Sequence, residues 1–235
     1  YTIHSLLTHC VLGLIEKRGN FGSWHLPPCS MRSFDLSLVR RSSLLGSLTE
    51  ADLRAALNGC FVQTLPRGAT PCRPGELPEF LYILLSGAVG LFVEDNRKES
   101  LVDFLGAGDS FLLPAVILDR PYLMSARLLE DSRLLQLPAP AFRAHLRDNT
   151  DLAYGVSLLL STHWRTLVAQ IRDLKLFTAV ERLSAFLLAL CPRNAGSMTI
   201  LLPGDRRLIA GRLGVTPQSL SRAFAALRPL GVTAS

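Results

Sequence analysis

The 235-residue sequence predicts an α+β protein with an N-terminal β-roll or jelly roll, one long helix, and a C-terminal helix-turn-helix. Three observations carry this expectation. Between Cys60 and Leu137, short β-rich segments are divided by turn residues at the spacing of a closed β-structure. From Asp148 to about Lys175, apolar residues recur at helical intervals. The third is RRLIAGRLGVTPQSLSRAFAALRPLGV, Arg206 to Val232, where two short helical patterns are separated by Leu213, Gly214, Val215 and Thr216. The expected division is an irregular arm over 1–33, a sensing domain over 34–148, a dimerisation helix over 149–175 and a helix-turn-helix domain over 176–235.

Composition bounds the class. The hydrophobic share is 49% and the net charge +6, which allows a core of good size and a polyanionic partner. Val11, Leu12, Leu14 and Ile15 are followed at once by Glu16, Lys17 and Arg18, so no apolar run approaches the roughly 18 to 20 residues that span a bilayer. We therefore expect a cytoplasmic protein without membrane contact. Five widely spaced cysteines, Cys10, Cys29, Cys60, Cys72 and Cys191, form no C-x-x-C pair, and free thiols in a reducing compartment follow. Cys10 and Cys29, in irregular surroundings, are the places to look for a redox-sensing thiol.

The elements are justified in order. Residues 1–33 show no period and hold Gly19, Gly22, Pro27 and Pro28 close together; Met31 resembles a natural start. Thr49 and Asp52 open a short helix that ends at Gly59. Expected strands are Phe61 to Leu65, Phe80 to Leu85, Ala88 to Glu94, Ser100 to Leu105, Tyr122 to Leu129 and Ser132 to Leu137. Pro140 to Arg147 is a short helix, and Asp148, Asn149 and Thr150 cap the long one. That helix is apolar on two neighbouring stripes, Leu152, Val156, Leu160, Leu167, Leu174 and Leu159, Trp164, Val168, Ile171. It can cover the roll and pair with a second copy of itself, so a homodimer is expected. Val180 to Cys191 is a further helix, and Met198 to Leu202 a short strand after the turn at Asn194 to Gly196.

In the last segment, Leu208, Ile209 and Leu213 of the first helix and Leu220, Ala223, Phe224 and Leu227 of the second face a core. Pro217, Gln218, Ser219, Ser221 and Arg222 remain exposed on the first half of the second helix, where short hydrogen-bonding side chains and one arginine suit base edges in a major groove. The sequence given stops at Ser235, soon after this helix, and a β-wing, if one follows the helix, is absent from it.

RGATPCRPGELPEFLYILLSGAVGLF, FLGAGDSFLLPAVILDRPYLMSA and TPQSLSRAFAAL, in that order, resemble the CRP/FNR superfamily of bacterial transcription regulators, over roughly Arg41 to Val232. DNTDLAYGVSLLLS and TPQSLSR are most similar to its nitrogen-oxide-responsive branch. The resemblance implies a cyclic-nucleotide-binding-like roll, a homodimer, double-stranded DNA with palindromic half-sites, and contact with RNA polymerase. It also implies that Gln218, Ser219 and Arg222 approach bases. The family usually places Glu where Gln218 stands, and the amide both donates and accepts, so half-site preference is expected to differ. Arg222 is the expected guanine reader, while Thr216 and Ser221 are expected on phosphates.

The expected effector pocket comprises Tyr82, Leu113, Met124, Ser125 and His163. Cyclic-nucleotide-binding members need a Glu for the ribose and an Arg-Ser pair for the phosphate; here those positions read Leu113, Met124 and Ser125. Burying a phosphate without a counter-charge costs several kcal/mol, so a cyclic nucleotide is disfavoured. An apolar pocket suits haem, a hydrophobic small molecule or no ligand. For haem, His163 or His145 is the candidate axial ligand, with His4, His9 and His25 in the arm. An oxygen-sensing iron–sulfur cluster would need closely grouped cysteines that Cys10 and Cys29 do not supply. Two functional readings stand: a dimeric DNA-binding regulator controlled by a non-nucleotide signal, and an effector-binding module that acts through protein contacts. No nucleophile–base pair, metal-binding cluster or phosphate loop suggests an enzyme.

Overall fold

A computed structural model describes residues 33–95, 98–191, 199, 202 and 205–233. Residues 1–32 with their histidines and cysteines, and most of the expected strand at Met198 to Leu202 with the turn before it, lie outside the described residues.

Helix α1 (Ser33–Val39), which the sequence pattern did not announce, precedes α2 (Glu50–Ala56). The Thr49 hydroxyl caps α2 by accepting from Asp52 N at 3.2 Å. The strands follow: β1 (Phe61–Leu65), β2 (Phe80–Ser86), β3 (Val89–Asp95), β4 (Lys98–Leu105), the two-residue β5 (Ser110–Phe111), β6 (Ser125–Leu128) and β7 (Ser132–Pro138). They form two antiparallel sheets, ordered β1-β7-β2-β5 and β4-β3-β6.

The unbroken apolar run of β2 is explained by burial on both sides. Leu81, Ile83 and Leu85 join an outer core with Leu44, Leu53, Phe142, Leu152 and Val156. Tyr82 and Leu84 join an inner core between the sheets with Val89, Leu91, Phe111 and Leu128. Strand β7 divides in the same way, Leu135 and Leu137 outward and Leu134 inward. Period-2 geometry thus turns one hydrophobic segment into the shared wall of two cores.

Two differences from the sequence expectation lie beside this wall. The segment LPAVIL forms a helix, α3 (Leu113–Leu118), between two left-handed residues, Leu112 at φ 56° and Asp119 at φ 53°. A non-glycine residue there costs about 1–2 kcal/mol. Arg143 steadies the far end, pairing with Asp119 at 3.0 Å and donating to the Val116 carbonyl at 3.1 Å. Tyr122 lies in a loop and not in a strand, because its backbone N–H and C=O bond Glu76 O and Gly75 N in the 73–76 turn, each at 2.9 Å.

After α4 (Ala139–Asp148) the chain enters α5 (Thr150–Leu176), 27 residues and about 40 Å long. The Asn149 side chain caps it, accepting from Leu152 N at 2.7 Å. Leu152 and Val156 sit in the outer core, but Trp164 is 68% exposed and Ile171 52%. A third core holds the C-terminal helices α6 (Ala179–Leu190), α7 (Arg206–Arg212) and α8 (Pro217–Leu227), with Leu183, Ile209, Leu213, Leu220 and Leu227 at its centre. Thr178 and Glu181 close a capping box at the start of α6.

Gly87 sets the β2–β3 turn at φ 101°, and a Cβ there would meet Ser132 Oγ at 2.1 Å and Ser132 Cα at 2.8 Å. Gly87→Ala is expected to destabilise the protein by at least about 2 kcal/mol in urea unfolding, because strain and clash add. A loss below about 0.5 kcal/mol would show that the turn relaxes freely.

Candidate nucleic-acid interface

The turn between α7 and α8 needs Gly214, whose φ is 62° and whose missing side chain admits Leu174 of α5; a Cβ would stand 2.6 Å from Leu174 Cδ2. Thr216 then starts α8, accepting from Ser219 N at 3.1 Å, and Pro217 occupies the first turn, where no N–H is required. Leu220, Ala223 and Leu227 are driven into the core. Gln218, Ser221 and Arg222 are left exposed and Ser219 half-buried on the opposite face.

The five expected reading residues are therefore brought onto one exposed edge, and their chemistry differs. Gln218 and Arg222 have no hydrogen bond within the head among the described residues, leaving an amide and a planar guanidinium for a partner. The Thr216 hydroxyl donates to Ser219 Oγ at 3.0 Å, and Ser221 Oγ donates to the Pro217 carbonyl at 3.0 Å. Ser221 must release that carbonyl before it can donate to a phosphate oxygen. Residues 205–233 carry five arginines and one acid, Asp205. Arg206, Arg207, Arg222 and Arg228 are exposed, so the head presents a positive surface. Arg212 is not part of it: its Nε pairs with Asp103 of β4 at 3.2 Å.

That pair joins the head to the roll. Ser100 Oγ donates to the Gly211 carbonyl at 3.4 Å, and a Cβ on Gly211 would reach Leu101 N at 3.2 Å. A side chain at position 211 would press on β4, where the backbone must give by a few tenths of an ångström.

The expected effector residues are dispersed. Tyr82, 9% exposed, stacks on Phe111 with ring centroids 5.2 Å apart, and Met124 packs against the same inner core. Leu113, 1% exposed, is delivered to the outer core on the other side of the sheet. Ser125 is buried beside Phe92 with no partner for its hydroxyl. His163 is exposed on α5, and His145 lies on α4 with Nε2 buried and unpartnered. The roll interior holds Cys72, Tyr82, Phe111 and Tyr122 in mutual packing, and neither described histidine lines it. The unpartnered nitrogen of His145 is suited to an iron or to another hydrogen-bonding partner.

Two arginines flank Met124 in the sequence, and neither is positioned as a free pocket cation. Arg127 is ion-paired with Glu99 and lies over the Phe92 ring at 4.5 Å, and Arg120 is exposed.

Comparison with known proteins agrees with this division of the molecule. Residues 62–149 match the Cyclic nucleotide-binding domain family, and residues 181–234 match the Crp-like helix-turn-helix domain family. The chain is 41% identical over 170 residues to the nitrogen fixation regulation protein FixK of Rhizobium meliloti, covering 72% of this chain and 75% of that one. A solved structure from Ruegeria pomeroyi, provisionally named for cyclic nucleotide binding, is 32% identical with a TM-score of 0.60, covering 86% of this chain and 90% of that one. The structure of DNR from Pseudomonas aeruginosa is 26% identical with a TM-score of 0.51, over 86% of this chain and 91% of that one.

Burial pushes the Cys72 thiol up to about 12, against an ordinary 9.0, and raises Tyr82 and Tyr122 in the same direction. At pH 8 the native Cys72 is then held as the neutral thiol. Thiol titration of the folded protein at pH 8 is expected to label half-buried Cys191 and spare Cys72. Above about pH 9 the unfolded chain loses this proton before the folded one, so stability falls as pH rises from about 9 toward 12. Melting temperatures across that range are expected to decline, and less steeply in Cys72→Ala; equal slopes would contradict the assignment.

Proposed function

Because the chain belongs to the CRP/FNR family of bacterial transcription regulators, we propose that it acts as a homodimer that reads palindromic DNA under control of a signal other than a cyclic nucleotide. Its helix-turn-helix is the DNA-binding domain of this family. The observation that carries the finer reading is the exposed edge of α8, where Gln218 and Arg222 stand without internal partners beside a positive surface. Arg222 engages two acceptors on a guanine, Gln218 and Ser219 select the neighbouring bases, and Thr216 and Ser221 fix the register on phosphates.

Support for the dimer comes from α5, whose Trp164, Leu167, Val168 and Ile171 form an apolar stripe open to solvent. A second copy on this stripe places two α8 helices about one turn of DNA apart, and the operator inherits the two-fold symmetry. RNA polymerase is the downstream partner in this scheme.

The signal reading rests on charge. Neither Leu113 nor Met124 can meet a ribose or a cyclic phosphate, and Arg127 is held by Glu99. The control is therefore assigned to a non-nucleotide input, and haem-mediated nitric oxide sensing, with the unpartnered His145 Nε2 or the exposed His163 as candidate ligand, is one such input.

Selection from random duplexes followed by mobility-shift titration tests the proposal. A palindromic consensus is expected, and Arg222→Ala should lose about 1–3 kcal/mol, roughly 5- to 150-fold, with relaxed preference at a guanine. Equal binding by mutant and parent removes the base-reading role. Cyclic AMP at saturating concentration is expected to leave the affinity unchanged; a rise of about tenfold or more would overturn the signal assignment.

A further inference from the structure

A cavity of about 390 Å³ lies where β4, α5, α6, α7 and the Gly214 turn meet. That volume is within the range of sites that hold small organic molecules. Most of its wall is apolar, including Leu101, Ala169, Leu174, Ala185, Phe186 and Leu213. Two polar groups stand out: Gln170 Nε2 and Arg182 Nε are buried, border this cavity and have no hydrogen-bond partner. Both are donors, and a desolvated donor without an acceptor is unfavourable, more so on a charged group.

The other charges on the wall are already engaged. Arg212 pairs with Asp103 at 3.2 Å. Asp173 accepts from Arg172 Nε at 2.9 Å and from its terminal nitrogen at 2.7 Å. Arg182 has no ion pair among the described residues, so the wall carries one uncompensated positive charge beside one free amide donor.

We infer that this cavity binds a small amphipathic carboxylate, its head on Arg182 and Gln170 and its apolar body against Leu101, Leu174 and Phe186. A carboxylate offers two coplanar acceptors and a single charge, matching two donors and one guanidinium. A phosphate ester brings more acceptors and more charge than the wall can meet. The lining positions Thr166, Ala169, Gln170 and Asp173 lie on the face of α5 opposite Trp164, Val168 and Ile171, while Leu174 shares an edge with Leu167 between the two faces. A second copy seated on the exposed stripe therefore leaves the cavity accessible. The occupant touches the roll, the long helix and the head together, so its binding fixes how the head is seated.

Isothermal titration of the full chain with octanoate, in the absence of DNA, tests the site. One saturable site per chain is expected, with octan-1-ol, equal in length but uncharged, binding about tenfold more weakly or worse. Arg182→Met should weaken octanoate about tenfold or more, while Arg182→Lys, which keeps the charge but loses the fork, should weaken it less than Arg182→Met does. Ala185→Leu, which fills the cavity, should abolish binding; thermal unfolding of each variant checks that it is folded, and the Arg182 pair decides the matter alone if Ala185→Leu is not. No octanoate binding by the parent chain, equal affinity in Arg182→Met, or equal affinity for octan-1-ol would overturn the inference. Because the measurement contains no DNA, its failure leaves the DNA-reading proposal standing, and the reverse holds.

Discussion

Strand β2 is covered on both faces, and each face belongs to a different core. Leu81, Ile83 and Leu85 tie it to the helices, while Tyr82 and Leu84 tie it to the opposite sheet. A one-residue slip would exchange the two sets, sending the Tyr82 ring into the helical layer and unstacking it from Phe111. The register of β2 with β7, Leu81 against Leu137 and Ile83 against Leu135, therefore fixes where α4 and the first turns of α5 can sit. Everything C-terminal to that point inherits its position from this shared wall.

The head is attached to the roll as well as to the long helix. Arg212 and Gly211 meet β4, and Gly214 meets Leu174, so the C-terminal end of α7 and the turn after it are held by elements outside the C-terminal helices. Ion pairing at Asp103, with Arg212 only 17% exposed, is less screened than a surface pair. A change in either β4 or the end of α5 is felt by α7, and through the Gly214 turn by α8. The route from the roll to the exposed edge of α8 is thus short and built from close backbone approaches.

Much of this was legible in the sequence where a period or a cap announces itself. The head follows directly from Leu208, Ile209, Leu220 and Ala223 at helical spacing, with Gly214 and Thr216 between them. The strands follow from short β-rich segments divided by turn residues. Helix α3 was not legible, because LPAVIL is six apolar residues with no polar face, and periodicity cannot separate a buried helix from a buried strand at that length. For the same reason the fate of Leu113 was hidden: the left-handed turn at Leu112 decides which side of the sheet it enters. Tyr82 and Met124 share a core while Leu113, Ser125 and His163 lie apart, since alignment of positions gives neighbours in sequence but not the face of a sheet. The interdomain cavity was out of reach because its wall is assembled from four separate segments.

The apolar stripe on α5 has a consequence for supply. On the dimeric reading, Trp164 and Ile171 can leave water only when two chains meet, so the amount of competent reader rises with the square of chain concentration while most chains are single. In that regime a doubling of expression raises the reader roughly fourfold. Cellular abundance then becomes an input to the promoter in its own right, acting before any small molecule does.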